Sequence, residues 1–147
     1  MTHIKIVKAT VNDVAEIARI ENECFSTPWS EGSLRESLEN PASHFYLALY
    51  GGNTAGYLGL QIFSGEGYIT NIATLPQYRR RGIARALIEK ALDNDMEFIT
   101  LEVRESNLPA IRLYSSLGFE NAGSRPRFYR EPEEDAIIMT KYLKREK

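Results

Sequence analysis

Six consecutive residues, Arg79-Arg80-Arg81-Gly82-Ile83-Ala84, form a stretch whose types and order could hold an anion. They follow an apolar run that stops at Pro76 and precede helical spacing at Ile83, Leu87, Ile88 and Leu92. A strand that turns into a helix presents unpaired backbone N–H groups and a positive dipole end, and an anion fits there. Gly82 lets the backbone approach a ligand with no Cβ in the way, and Ala84 keeps the turn tight. With Arg85 added, four arginines fall within seven residues of a chain whose net charge is -2, the footprint of a small phosphate-bearing ligand rather than of a long polyanion. The pattern has neither the Gly-Lys-Ser/Thr ending of a P-loop nor the Gly-x-Gly-x-x-Gly of a dinucleotide fold. An ordinary strand-to-helix turn with solvated arginines accounts for the same residues.

Two further groups could move protons. Glu102 breaks an apolar run and, on strand period two, points opposite to Ile99, Leu101 and Val103, where a polar residue at a split in a sheet can face a substrate. A strand-end salt bridge is the simpler account of it. Tyr114 shares a helical face with Ile111 and Leu117, and a core aromatic with a satisfied hydroxyl explains it adequately. Cys24, on an apolar helical face, reads as a buried and inert thiol. One cysteine and two histidines supply neither a disulfide framework nor a zinc site, so no metal is expected.

The elements that must position these residues follow from periodicity and punctuation. Ile4 and Ile6 suggest a short first strand; Thr10 with Asp13 resembles a helix cap, and Val14, Ile17 and Ala18 give a helical face running towards Cys24. Ser30 caps a second helix through Leu34 and Leu38 that ends near Asn40-Pro41. Phe45–Tyr50 and Ala55–Phe63 read as a hairpin about Gly51-Gly52-Asn53, and a turn at Ser64–Gly67 leads into a near-continuous apolar strand, Tyr68–Leu75. Gly82–Leu92 is a helix, Phe98–Val103 a strand, and Leu108–Leu117 a helix closed by Gly118. A final strand pair, about Phe119–Ser124 and Ala136–Tyr142, is expected to flank a polar loop containing Pro126 and Pro132. The order βααβββαβαββ implies a mixed sheet, parallel where the strand-helix-strand unit closes and antiparallel elsewhere.

A length of 147 residues with 43% hydrophobic content supports one core, and residues 1–147 are expected to form a single domain. No stretch has the apolar length of a membrane span, and the N-terminus lacks the pattern of a secretion signal, so a cytoplasmic protein is expected, away from the membrane. The charge balance argues against direct nucleic-acid binding.

On Arg79 through Ala84, which match Arg/Gln-x-x-Gly-x-Gly/Ala, and on the order of elements, the chain resembles the GCN5-related N-acetyltransferases (GNAT). The resemblance implies an α/β (α+β) GNAT fold: a mixed, mostly antiparallel sheet of about seven strands with a central parallel pair, flanked by about four helices. It implies acetyl-coenzyme A as co-substrate, with the amides and side chains of Arg80, Arg81, Gly82, Ile83, Ala84 and Arg85 about its pyrophosphate and Ile72, Ala73 and Thr74 along its pantetheine arm. Ile69–Ala73, Leu101–Asn107, Leu113–Phe119 and Glu134–Met139 look more closely like the RimI type, the bacterial ribosomal-protein-alanine N-acetyltransferases, and the likeness extends from Phe25–Ser30 nearly to the C-terminus. By that resemblance Glu102 is the general base, Tyr114 the general acid, and Asn107 a contact near the reactive end of the coenzyme. Trp29 and Tyr129 are then picked as contacts to an N-terminal peptide of a ribosomal protein, the eighteenth of the small subunit, although aromatics at such junctions commonly complete a core. Arg127-Phe128-Tyr129 stands where the type commonly carries Asn-Tyr-Tyr, with one hydroxyl fewer and a cation added.

The chemistry suits an α-amine. Its reference pKa is about 7.7 to 8.0 against about 10.4 for lysine, so a carboxylate or water held by one deprotonates it more readily, by roughly 3 kcal/mol. Tyrosine, near 10, stays protonated at neutral pH and can give its proton to a departing thiolate. Acetylation of small amines or lysines, and a module that binds acetyl-coenzyme A without turnover, are the alternatives.

Overall fold

The structure, a computed structural model, describes residues 3–143. Among them are seven strands and four helices: β1 (Ile4–Lys8), α1 (Val14–Cys24), α2 (Glu31–Glu39), β2 (Ser43–Tyr50), β3 (Asn53–Phe63), β4 (Glu66–Thr74), α3 (Ile83–Ala91), β5 (Phe98–Arg104), α4 (Leu108–Ser116), β6 (Glu120–Arg130) and β7 (Glu133–Tyr142). The helix starts are set locally. Ser30 accepts from the N–H of Ser33 at 3.1 Å and opens α2, and Asn107 accepts from the N–H of Ala110 at 3.3 Å and opens α4. Thr10 and Asp13 form a reciprocal capping box, but it opens a single 3-10 turn, Val11–Asp13, from which α1 continues.

The strands form one sheet in the order β1-β2-β3-β4-β5-β7-β6, parallel only between β4 and β5. One face carries α1 and α2, with Ile17, Ile20 and Leu34 packed against Phe45, Tyr57 and Ala73. The other carries α3 and α4, with Leu87, Ile88 and Tyr114 packed against Leu58, Ile69, Ile99 and Leu101. The expected alternation in β5 is present: Ile99, Leu101 and Val103 are buried on the α3/α4 side and Glu102 lies opposite.

Two irregularities shape the middle of the sheet. Gly59 pairs with Asn71 and Leu60 with Ile69, so Thr70 is an extra residue, a bulge in β4. Ile69 and Ile72 therefore both face α3, while Ala73 packs on the α1/α2 side; without the bulge, Ile69 and Ala73 would share a face. The second irregularity is the parallel pairing itself, which covers only Glu66–Tyr68 against Phe98–Thr100.

The C-terminal hairpin departs from expectation. Residues 125–130 and 133–135, read from sequence as loop, are strand, and the turn shrinks to Glu131-Pro132. β6 is an edge strand, exposed along most of its length, so it needs no apolar alternation. Pro126 sits where the register shifts between Arg125 and Tyr129, a place where a missing N–H is tolerated. Arg104 secures the turn by donating to the carbonyls of Pro132 at 2.9 Å and Glu131 at 3.1 Å. The acidic run beside it is partly structural: Glu134 pairs with Arg104 at 3.2 Å, and Asp135 accepts from the N–H of Arg127 at 2.8 Å.

Gly56 on β3 backs the end of β4 closely: a Cβ there would lie 2.5 Å from the carbonyl oxygen of Ala73, a backbone atom with little room to move. Gly56→Ala should therefore destabilise the fold by about 1–3 kcal/mol, read as a lower denaturant midpoint at unchanged slope. An unchanged midpoint would show that β4 can shift freely.

Candidate active site

Beyond Tyr68 and Thr100 the central strands part, and a cavity of about 480 Å³ lies between them, walled by Ile69, Thr70, Asn71 and Ile72 on one side and Leu101, Glu102, Val103 and Arg104 on the other. That volume is within the range of small-molecule sites, about 300–1,000 Å³. The split leaves strand backbone on β4 without a β5 neighbour.

Glu102 and Tyr114 line this one cavity from opposite faces of the sheet. Glu102 comes from the α1/α2 side; its side chain is only 9% exposed, and Oε2 accepts from Arg125 Nε at 2.6 Å. Its Oε1 accepts from the hydroxyl of Tyr68. Burial, and then this hydrogen bond to a carboxylate, push the Tyr68 phenol above its ordinary value, so the hydroxyl keeps its proton as donor. The salt bridge and the position on a cavity wall, which look like competing accounts of Glu102, hold together. The same is true of Tyr114. Its ring packs in the core 5.9 Å from that of Phe119, yet it borders the cavity, and burial, followed by Tyr129, pushes its phenol up to about 12. Its proton is therefore retained at neutral pH.

The other residues singled out by sequence divide into groups. Asn107 both caps α4 and borders the cavity, as does Ile72 on β4, whereas the side chain of Ala73 is in the core beneath α1. Thr74 ends β4, and its carbonyl accepts from Arg79 Nε at 3.1 Å and from the Cys24 thiol at 3.4 Å. Burial pushes the half-buried Cys24 thiol up in pKa, which suits an inert role.

Arg80, Arg81, Gly82, Ala84 and Arg85 lie outside the cavity, past the end of β4, and Ile83 is a buried core anchor. Helix α3 begins at Gly82, which has φ +84° and provides no side-chain cap, so the first N–H groups are left to solvent or a ligand. Arg80 is also left-handed, φ +64°. Arg81 leans over the Tyr50 ring, and Arg85 donates to Ser116 at 2.9 Å.

Trp29, on the connection between α1 and α2, and Tyr129, on β6, both border the cavity. Trp29 is 40% exposed, and Phe25 and Phe128 beside these two are also exposed aromatics on the rim. Tyr129 lies under the Arg104 guanidinium, 4.3 Å from its ring centre; burial, and then the negative charge of Glu102, push its phenol up to about 12.

Three residues of the site were missed by sequence reasoning. Tyr68 sits in a run that reads as plain core strand, and Arg125 falls in the stretch expected to be loop; neither has a local signal. Glu21 does have one: with Val14, Ile17 and Ala18 it completes an i, i+3, i+4, i+7 stripe, so its position on the buried face is legible. It is a buried carboxylate in the cavity wall.

The profile of the Acetyltransferase (GNAT) family matches residues 14–119, and the chain belongs to this family of acyltransferases. Among its relatives, it is 37% identical over 134 residues to a Bacillus subtilis protein provisionally named as a [ribosomal protein bS18]-alanine N-acetyltransferase, covering 88% of this chain and 89% of that one. It is 36% identical over 133 residues to the [ribosomal protein bS18]-alanine N-acetyltransferase of Escherichia coli K12, covering 86% and 89%. The fold matches the crystal structure of the ribosomal-protein-S18-alanine N-acetyltransferase from Escherichia coli with a TM-score of 0.91 at 31% identity, over 99% of this chain and 97% of that one.

The four raised tyrosines, Tyr57, Tyr68, Tyr114 and Tyr129, have burial as their largest cause. The folded protein holds these protons more tightly than the unfolded chain, whose phenols ionise near about 10. Their contribution to stability is full below pH about 10 and is lost as the pH rises through the folded values, about 12 for Tyr114 and Tyr129. The denaturation midpoint should fall across that window, with the phenolate absorbance of Tyr114, taken as the difference from Tyr114→Phe, appearing only at its upper end or on unfolding. Ionisation of Tyr114 near pH 10 in the folded protein would contradict this.

Proposed function

We propose that this chain transfers the acetyl group of acetyl-coenzyme A to the N-terminal α-amine of a ribosomal protein, with the N-terminal alanine of bS18 as the substrate, in the cytoplasm. The observation that carries the proposal is the convergence of Glu102 and Tyr114 on one cavity from opposite sides of the split sheet, in a chain whose relatives bear that activity in their names.

The residues present fit the coenzyme. Past Tyr68, backbone groups of β4 have no β5 partner and are available to an amide-containing arm. At the end of that strand, the uncapped first turn of α3 and the exposed side chains of Arg80, Arg81 and Arg85 offer N–H groups and positive charge to a pyrophosphate. Ile72 and Asn107 border the cavity between these two ends, and the backbone of Ala73 and Thr74 continues β4 towards the arginine turn. When bound, acetyl-coenzyme A supplies the activated acetyl group and a thiol leaving group.

This chain's own residues manage the protons. Glu102, on the α1/α2 side, takes the proton from the incoming amine, directly or through water. Tyr114, on the α3/α4 side and protonated at neutral pH, gives its proton to the leaving thiolate. Phe25 and Trp29 from the connection between α1 and α2 and Phe128 and Tyr129 from β6 offer apolar walls to the first residues of a peptide.

Incubation with acetyl-coenzyme A and a panel of peptides, read by mass spectrometry, tests the substrate. Acetyl should appear on the α-amine of an alanine-initiated peptide. Modification confined to lysines or to a free polyamine would overturn the reading, and tight coenzyme binding with no thiol release would favour a non-catalytic module. For the residues, Glu102→Gln and Tyr114→Phe should each lower kcat by about 10² or more with coenzyme binding retained. Unchanged peptide acetylation in both would remove these assignments while leaving the family intact.

A further inference from the structure

Glu21 is 2% exposed, yet it lies in the cavity wall and, among the described residues, has no cation within salt-bridge distance. Burying a carboxylate without a counter-charge is costly unless donors satisfy its oxygens. Two do. The backbone N–H of Trp29 donates to Oε1 at 2.9 Å, and the hydroxyl of Tyr57 donates to Oε2 at 2.6 Å. Tyr57 is itself fully buried on β3, and burial and the negative charge of Glu21 raise its pKa. The carboxylate thus joins β3 to the connection between α1 and α2.

That connection, Phe25–Ser30, provides the cavity with Phe25, Ser26, Thr27 and Trp29. It is mostly exposed and has little packing of its own. At its ends, the N–H of Phe25 closes α1 and Ser30 caps α2. Between them, among the described residues, the hydrogen bond from Trp29 to Glu21 is the one that ties the segment to the body of the fold. A wall held at one point takes its position from that point.

We propose that Glu21 is a positioning residue for the acceptor substrate: through the Trp29 N–H and the Tyr57 hydroxyl it holds the Phe25–Ser30 wall at a set position against the sheet, and so governs peptide binding rather than proton transfer or coenzyme binding. The assignment rests on the reading of this wall as a peptide contact. Glu21 touches neither reacting group; it acts through Trp29.

Two measurements test it, one independent of activity. Trp29 is the sole tryptophan of the chain, so its fluorescence reports the wall directly. Glu21→Ala should make Trp29 emission redder and at least about twofold more quenchable by acrylamide, with Glu21→Gln, which keeps one acceptor oxygen, in between. In kinetics with an alanine-initiated peptide, Glu21→Ala should raise the peptide KM about tenfold or more, the scale of a lost hydrogen bond to a charged group, while kcat and the KM for acetyl-coenzyme A stay within about twofold. Tyr57→Phe should shift peptide KM in the same direction by less. A smaller folded fraction lowers apparent kcat and leaves KM unchanged, so a purely structural role would not give this split. Should Glu21→Ala fail to fold, Glu21→Gln and Tyr57→Phe carry the same test.

Unchanged Trp29 quenching, or an unchanged peptide KM in folded variants, would overturn the proposal. Wild-type protein that acetylates no N-terminal peptide would instead overturn the functional reading, and the peptide role with it. The fluorescence result would still decide whether Glu21 holds the wall.

Discussion

The site depends on the short reach of one strand pairing. β4 and β5 are joined over three residue pairs, Glu66–Tyr68 with Phe98–Thr100, and then each continues with its other neighbour alone: β4 with β3 as far as Thr74, and β5 with β7 as far as Arg104. Each half keeps an antiparallel partner, and the apolar cluster beneath α3 and α4 runs under both, from Leu58, Leu60 and Ile69 to Ile99, Leu101 and Met139, so the sheet can open without losing its core. At the closed end, the N–H of Glu97 donates to Gly65 at 2.7 Å and that of Leu143 to the carbonyl of Glu97 at 2.8 Å, which fastens the seam. Unpaired backbone in a buried sheet centre is costly, and it is tolerated here because a cavity gives those groups access to water or a ligand.

The bulge at Thr70 builds on that opening. By shifting the alternation of β4, it sends Ile69 and Ile72 to the α3 side and leaves Asn71 on the side of Tyr57 and Glu21. One strand therefore contributes an apolar surface towards the helices that carry Tyr114 and a polar surface towards the wall that carries Trp29. Glu102, on the facing strand, looks the same way as Tyr68 and reaches Arg125 across the sheet edge. Arg125 is 56% exposed, so solvent weakens its pairing, whereas Tyr68 is held by the fold. Of the two groups on the carboxylate, the guanidinium is the one with room to move.

Much of this arrangement was legible in the residues, and the parts that were not share a cause. Ser30 and Gly118 act within a few residues of themselves, so the helix boundaries they set can be read locally. The orientation of Glu102 follows from period two in β5, a property of the strand alone. The bulge at Thr70 has no such mark, because Ile69-Thr70-Asn71-Ile72 is an ordinary strand sequence and the extra residue exists only relative to β3. β6 was read as partly loop because edge strands are released from the apolar pattern that identifies inner ones. Tyr68 and Arg125 join the site through a partner 34 and 23 residues away, and sequence spacing carries no information about that.

Several departures from local regularity border the cavity or lead into it. Among the described residues, Asn71 has a buried side-chain oxygen with no hydrogen-bond partner and Glu21 is a carboxylate with no cation within salt-bridge distance, while Arg80 takes a left-handed conformation that a side chain disfavours. Asn71 and Glu21 border the cavity, and Arg80 lies in the turn that leads from the end of β4 into α3. Across the two faces of the sheet, by contrast, the apolar residues follow period and burial with few exceptions. Selection for stability alone has no reason to gather such costs along the path from the arginine turn to the aromatic rim. Selection for a site that must bind and release its reactants does: the Asn71 oxygen, which the fold leaves unsatisfied, is available to a substrate, and the Glu21 charge is engaged in holding a wall of the cavity.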